Sequence, residues 1–171
     1  MACNSISEYS SALRGGLKGN RYKVVLTLPS GITGDTKLFS LIVRSTNVPA
    51  METGSIDVQY KGCTTILSSG DTRPAGEWQT QAQLNNGNSA GEAKKIVEKW
   101  QKLTENTDPT VYKSRAFIEL INPIDDSVAL KWQVDGIWIY NSGELELGDE
   151  NVDSILELPI TFKYDNVTPL H

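Results

Sequence analysis

The sequence predicts a mainly β protein, an antiparallel β-sandwich or partial barrel with one α-helix packed against it. Three observations carry that expectation. Short stretches of period-two alternation recur along the chain, each bounded by Gly, Pro, Asn or Asp. One segment, residues 89–105, changes to helical spacing. No internal repeat and no linker-like stretch divides the 171 residues, so residues 1–171 are expected to form a single domain around one core.

Residues 1–21 are polar and glycine-rich, with Gly15, Gly16 and Gly19, and read as an arm or loop. Tyr22, Val24, Leu26 and Leu28 share one face of a first strand, which Pro29-Ser30-Gly31 ends. Residues 38–45 read as a second strand that stops near Pro49. In a third, Ile56, Val58 and Tyr60 alternate with Asp57, Gln59 and Lys61. Gly62 then turns or kinks the chain before the β-branched stretch 64–67. Trp78, Thr80, Ala82 and Leu84 face one way in the next strand, and Gln79, Gln81 and Gln83 face the other.

The helix follows. Ser89-Ala90-Gly91-Glu92 has the capping-box pattern, in which serine and glutamate each satisfy the other's free amide. Ala93, Ile96, Val97, Trp100 and Leu103 fall on one stripe, and Asn106 to Pro109 stops the helix. Three more extended segments complete the chain: 113–121, 128–140 with a bend or bulge at Asp135-Gly136, and 156–164. Pro159 has no amide hydrogen, which predicts an edge position or an irregularity in the last of these.

The bulk numbers exclude several classes. Hydrophobic residues make up 39% and charged residues 22%, a globular balance, and no apolar run approaches the roughly 20 residues that span a bilayer. The N-terminus lacks the basic-then-apolar pattern of a signal peptide. Cys3 and Cys63 make no disulfide framework and read as free thiols in a reducing cytoplasm. The formal net charge of −5 argues against a basic nucleic-acid-binding surface. It is unevenly spread: residues 1–102 carry 12 basic and 8 acidic groups, residues 103–171 carry 4 and 13. Such a split suits head-to-tail contact between copies, unless the two halves interleave into one mixed surface.

Catalytic chemistry finds little to work with. The one histidine, His171, is the final residue, which removes most nucleophilic triads and zinc sites. No glycine-rich loop ends in the Lys-Ser/Thr of a phosphate cradle. Glu144, Glu146, Asp149, Glu150 and Asp153 crowd one segment, but their spacing does not fit the helix–loop–helix calcium motif, and a solvated or interfacial acidic loop is expected. Trp78, Trp132 and Trp138 are read as core or interface. A rival of another class, a carbohydrate-binding β-sandwich, would need them to line a cleft. No catalytic residue, cofactor or metal is assigned.

Several motifs then follow in a fixed order. They are the opening 20–26 (Asn-Arg-Tyr-Lys-Val-Val-Leu), Ser45-Thr46-Asn47-Val48-Pro49-Ala50, the hairpin motif from Gly54 to Gly62, and Gly70-Asp71-Thr72-Arg73. The helix and Gly143-Glu144-Leu145-Glu146-Leu147 come after them, then the last strand. Together this order resembles the tail tube proteins of contractile-tailed bacteriophages and the related tube proteins of contractile injection systems. It covers about residues 17–166. Cys63 stands where that family often has arginine, and the Gly-Asp-Arg-Thr type turn reads Gly-Asp-Thr-Arg-Pro here.

The resemblance implies a non-enzymatic structural subunit in a virion tail, assembled in the host cytoplasm. Hexameric rings would share a continuous lumenal β-barrel and stack into a hollow conduit for DNA delivery, or for protein effectors if the system is an injection or secretion machine. The implied partners are other copies, a sheath protein, a tape-measure protein, and baseplate and tail terminator proteins. DNA would pass without specific binding, and no membrane insertion is expected. Contacts between copies are expected at Asn47, Val48, Pro49, Ala50, Met51, Glu52 and Gly54, and at Gly70, Asp71, Thr72 and Arg73. Two sets stand as alternatives for the lumen wall: Gln79, Gln81 and Gln83, or Asp57, Gln59 and Lys61. An acidic lumen would repel DNA phosphates.

Overall fold

A computed structural model of the chain describes residues 13–14, 16–34, 36–60, 64–74, 76–84, 91–145, 147 and 155–170. The elements run β1 (Tyr22–Leu26), α1 (Thr36–Ile42), β2 (Val43–Thr46), β3 (Met51–Tyr60), β4 (Thr64–Pro74), β5 (Trp78–Gln83), α2 (Glu92–Leu103) and α3 (Pro109–Tyr112). β6 (Ser114–Ile121), β7 (Val128–Ser142), β8 (Glu157–Lys163) and β9 (Asn166–Leu170) complete the chain. Six strands form one connected sheet in the order β1-β6-β7-β8-β5-β2, β9 joins it on β7, and β3 and β4 make a separate hairpin.

The connected sheet has two wings that share β7. In the first wing, β6 pairs with β7 from Val128 to Ile137, and β9 flanks residues 131–135 of β7. In the second, β8 pairs with residues 138–142, then β5 and β2 follow. β8 and β9 are thus two pieces of one long run beside β7, broken at Tyr164-Asp165. The break sits opposite Gly136, which adopts a positive φ of 67° and marks the bend expected at Asp135-Gly136. A Cβ there would come within 2.0 Å of an Asp165 carboxylate oxygen. Ion pairs hold the corner: Lys113 Nζ to Asp165 at 2.7 Å, and Arg115 to Asp135.

The inner faces of the two wings and the apolar stripe of α2 enclose one core, as the sandwich expectation requires. Val24, Leu26, Ala116, Ile118, Val134 and Val167 come from the first wing; Trp78, Ala82, Ile139, Leu158, Ile160 and Phe162 come from the second. Ala93, Ile96, Val97 and Trp100 of α2 lie between them, with Leu103 packed at the margin. Trp78 and Phe162 stack with centroids 5.0 Å apart, and Trp100 tilts against the same phenyl ring at 5.9 Å. Burying side chains of this size contributes roughly 2–3 kcal/mol each.

Several expectations change. Residues 36–42 are helical, and only 43–46 are extended, where one strand was expected over 38–45. Phe39 in α1 and Val43 at the start of β2 are both buried, and their spacing of four residues fits one face of a helix or of a strand alike. α2 begins at Glu92, with Gly91 as its N-cap in the left-handed conformation and no side-chain cap bond. Ser89 of the expected capping box lies outside the described residues. β9 has no counterpart among the expected strands. Pro159 lies in β8, between two neighbouring strands, but its carbonyl accepts from Gly143 N at 2.8 Å. Its imide nitrogen therefore faces the side on which β7 has just ended, so no ladder bond is lost.

Candidate assembly surfaces

Two surfaces stand out, and both are built from the predicted site residues. The first is the outer face of the second wing. Because β5 alternates strictly, Gln79, Gln81 and Gln83 point away from the core while Trp78, Thr80 and Ala82 point into it. The register extends this into rows: Ser45–Gln81–Pro159, Gln79–Thr161–Asn141, and Gln83–Glu157. Ser45 Oγ donates to the Gln81 side chain at 2.9 Å. A shallow depression of about 480 Å³ runs over the first two of these rows. The charges on the face are the paired Arg44 and Glu157, and Lys163, whose ammonium lies 4.0 Å above the Tyr140 ring. The face is therefore mainly a carpet of amides and hydroxyls.

The second surface is the β3–β4 hairpin, which fuses the two regions expected to be contact loops. Residues 51–60 and 64–74 are paired strands, from Met51 opposite Pro74 to Tyr60 opposite Thr64. At about 3.3 Å per residue the hairpin reaches roughly 30 Å. Residues 51–57 are all exposed, including Met51 at 36% and Ile56 at 52%. A register shift between Thr53 and Ser55 bends the arm. A Cβ on Gly70 would meet the Gly54 carbonyl carbon at 3.1 Å, so glycine permits the close approach there.

The root of this arm is tied down. Trp78 Nε1 donates to the Asn47 carbonyl at 3.0 Å and to Thr46 Oγ1 at 2.9 Å, and Gln79 N donates to Asn47 Oδ1 at 3.2 Å. Tyr164 Oη donates to the Ala50 carbonyl at 2.9 Å. Among the expected contact residues, Asn47 therefore latches the root, Pro49 is buried, and Val48, Ala50, Met51, Glu52, Gly54 and Asp71 are exposed. Gly70 is half-buried. Thr72 and Arg73 lie in β4 near its base. Asp57 is exposed on β3, Gln59 lies further along it, and Lys61 and Cys63 lie outside the described residues. The two expected sets of lumen residues thus sit on different surfaces, the glutamines on the wing and Asp57 and Gln59 on the arm.

The tryptophans do not line a common cleft. Trp78 is wholly buried, and Trp132 and Trp138 are half-buried in different wings. Among the described residues there is no cluster of three metal-ligating side chains, and no helix long and apolar enough to cross a membrane. The acidic segment from Glu146 to Asp153 falls almost entirely outside the described residues.

No family model matches the chain. It is 26% identical over 168 residues to the tail tube protein of Serratia phage KSP90, a match covering 94% of each chain. Its fold is shared with a chain of the sheath–tube complex of the extracellular contractile injection system PVC, in the extended state. There the TM-score is 0.68 at 15% identity, covering 98% of this chain and 99% of that one. A chain of the six-fold symmetrised baseplate of the anti-feeding prophage gives a TM-score of 0.65 at 10% identity, covering 99% and 97%. The tube-terminating cap of the same prophage gives 0.64 at 16% identity, covering 99% and 94%.

Proposed function

We propose that this chain is a tail tube subunit whose copies form hexameric rings stacked into a hollow conduit, with the amide-rich face of the second wing turned to the bore. The observation that carries this reading is the β3–β4 hairpin. A two-stranded arm whose residues 51–57 are all exposed is marginal in water by itself, and it gains stability by lying against other chains. Similarity to a phage tail tube protein along nearly the whole chain supports the same conclusion.

The expected partners follow from that assembly: further copies within and between rings, a sheath outside, a tape-measure protein in the bore during assembly, and baseplate and terminator proteins at the ends. In a virion tail the cargo is DNA. A wall mainly of amides and hydroxyls, with Arg44 paired to Glu157, offers phosphates few ion pairs to stick to and no strong repulsion, which suits passage without specific binding. The fold shared with the injection-system chains supports a second reading in which the same conduit carries protein effectors.

Negative-stain electron microscopy of the purified chain across a concentration series tests the assembly. Rings or long hollow tubes are expected; uniform monomers at high concentration would overturn it. Removing residues 2–18 tests whether the N-terminal arm joins stacked rings. Shortened tubes or single rings are expected, and normal tubes would remove the arm from that role.

A further inference from the structure

Resting on the tube reading, we infer how neighbouring copies join: the aromatic edge of β7, anchored by Tyr140, is received by the groove between β1 and β2 of the next copy. The second wing has two margins. One is β2, which pairs with β5 on its other side. The opposite margin is the second half of β7; on the side away from β8, described strand pairing stops at Ile137 opposite Ser114. All neighbours in the order β2-β5-β8-β7 are antiparallel. A β7 edge laid beside the next copy's β2 therefore runs antiparallel as well and continues the alternation. Because the two margins differ, the contact is head-to-tail and leads to a ring rather than a closed dimer.

The β7 margin carries the kind of group that anchors interfaces. Tyr112, Trp138 and Tyr140 form a row of edge-on rings, with centroids 6.2 Å and 6.1 Å apart. Tyr140 ends the row in the register shift between Ile139 and Asn141, 51% exposed, with Lys163 Nζ held over its face. Exposed aromatics on an unpaired edge are the residues that most often dominate binding.

The receiving groove matches in shape and charge. It has a volume of about 1150 Å³ and presents Tyr22, Val25 and Val43 beside Lys23, with no carboxylate among its described lining residues. On the donor side, exposed Glu144 follows two residues after β7 ends. Lys23 belongs to the half of the sequence with a net charge of +4, and the donor edge belongs to the half with −9. Lys23 and Glu144 thereby give the contact one complementary pair of charges.

The test mixes two variants in a Cys3→Ser, Cys63→Ser background, one carrying Asn141→Cys beside the anchor and the other Val25→Cys, and bridges them with a short bismaleimide after assembly. Covalent dimers are expected in mixed tubes and absent from tubes of either variant alone. Tyr140→Ala is expected to raise the concentration needed for assembly at least tenfold with an unchanged circular dichroism spectrum, and Tyr140→Phe to leave it near wild type. Lys23→Glu should weaken assembly, and adding Glu144→Lys should restore it. Wild-type tubes whose mixed variants give no dimers would overturn this inference and leave the tube reading standing. A wild-type chain that stays monomeric would overturn both.

Discussion

The second wing and the β3–β4 hairpin are both runs of antiparallel strands, yet they bury their side chains to opposite degrees. In β5 and β8 every second residue is buried, and Trp78, Ala82, Leu158, Ile160 and Phe162 are all at most 1% exposed. In β3 the sequence Met-Glu-Thr-Gly-Ser-Ile-Asp puts two large apolar groups on the arm and leaves both in solvent. The wing is held by what lies behind it, a helix and a second sheet. The hairpin is held by its ladder and by bonds at its root. One chain therefore holds a part that folds on its own contacts and a part that, in the proposed assembly, is completed by other copies.

The sharpest way to break this contrast is at the centre of the body. Trp100 is wholly buried and donates its indole N–H to the Tyr112 carbonyl at 2.7 Å. Trp100→Ala should cost about 3–5 kcal/mol in denaturant unfolding and abolish assembly together with the fold. Gly136→Ala should come next, at about 2 kcal/mol, because alanine disfavours the left-handed backbone and collides with Asp165. Thermal unfolding would show it, and a variant as stable as wild type would mean the corner relaxes freely.

A gain is expected at Thr80, which is 2% exposed and whose hydroxyl has no hydrogen-bond partner among the described residues. Thr80→Val keeps the shape and should stabilise the body by about 1 kcal/mol in denaturant titration. Replacing residues 52–73 with a short turn should shift the body's stability by less than about 1 kcal/mol and yet eliminate tubes in micrographs. Unfolding of the body on this deletion would show that the hairpin belongs to it after all.

The smallest effect concerns Asp108, the N-cap of α3, whose carboxylate accepts from Thr110 Oγ1 at 2.8 Å and Thr110 N at 2.9 Å. These bonds lower its pKa below the ordinary carboxylate value. A lowered folded-state pKa means the stabilisation is complete above the ordinary value and is lost as pH falls through the folded one. Asp108→Ala should therefore lower the melting temperature slightly at neutral pH and not at all in strong acid.

Much of the body was legible in the sequence because its signals are local. The alternation from Trp78 to Gln83 and the helical stripe from Ala93 to Trp100 each need only neighbouring residues. Residues 38–45 misled because a short apolar run fits a helix turn or a strand equally well, and only tertiary context decides. β9 was invisible for a different reason: Asn166-Val167-Thr168-Pro169-Leu170 buries Val167 alone, and it is extended because β7 offers it a ladder. The regions expected to make contacts read as two loops, because only the pairing of residues 51–60 with 64–74 joins most of them into one arm. The groove between β1 and β2 lay beyond sequence reasoning, since it joins segments that only tertiary structure brings together.

The sharing of β7 between both wings also has a mechanical meaning. A pull on the amide-rich face does not have to cross from one sheet to the other through side-chain packing. It travels along the peptide backbone through Gly136 into residues 131–135, which are bonded to a strand on each flank. The two wings can part only by bending β7 at Gly136, since the strand they share joins them covalently. A wall made of such units would transmit tension along covalent bonds.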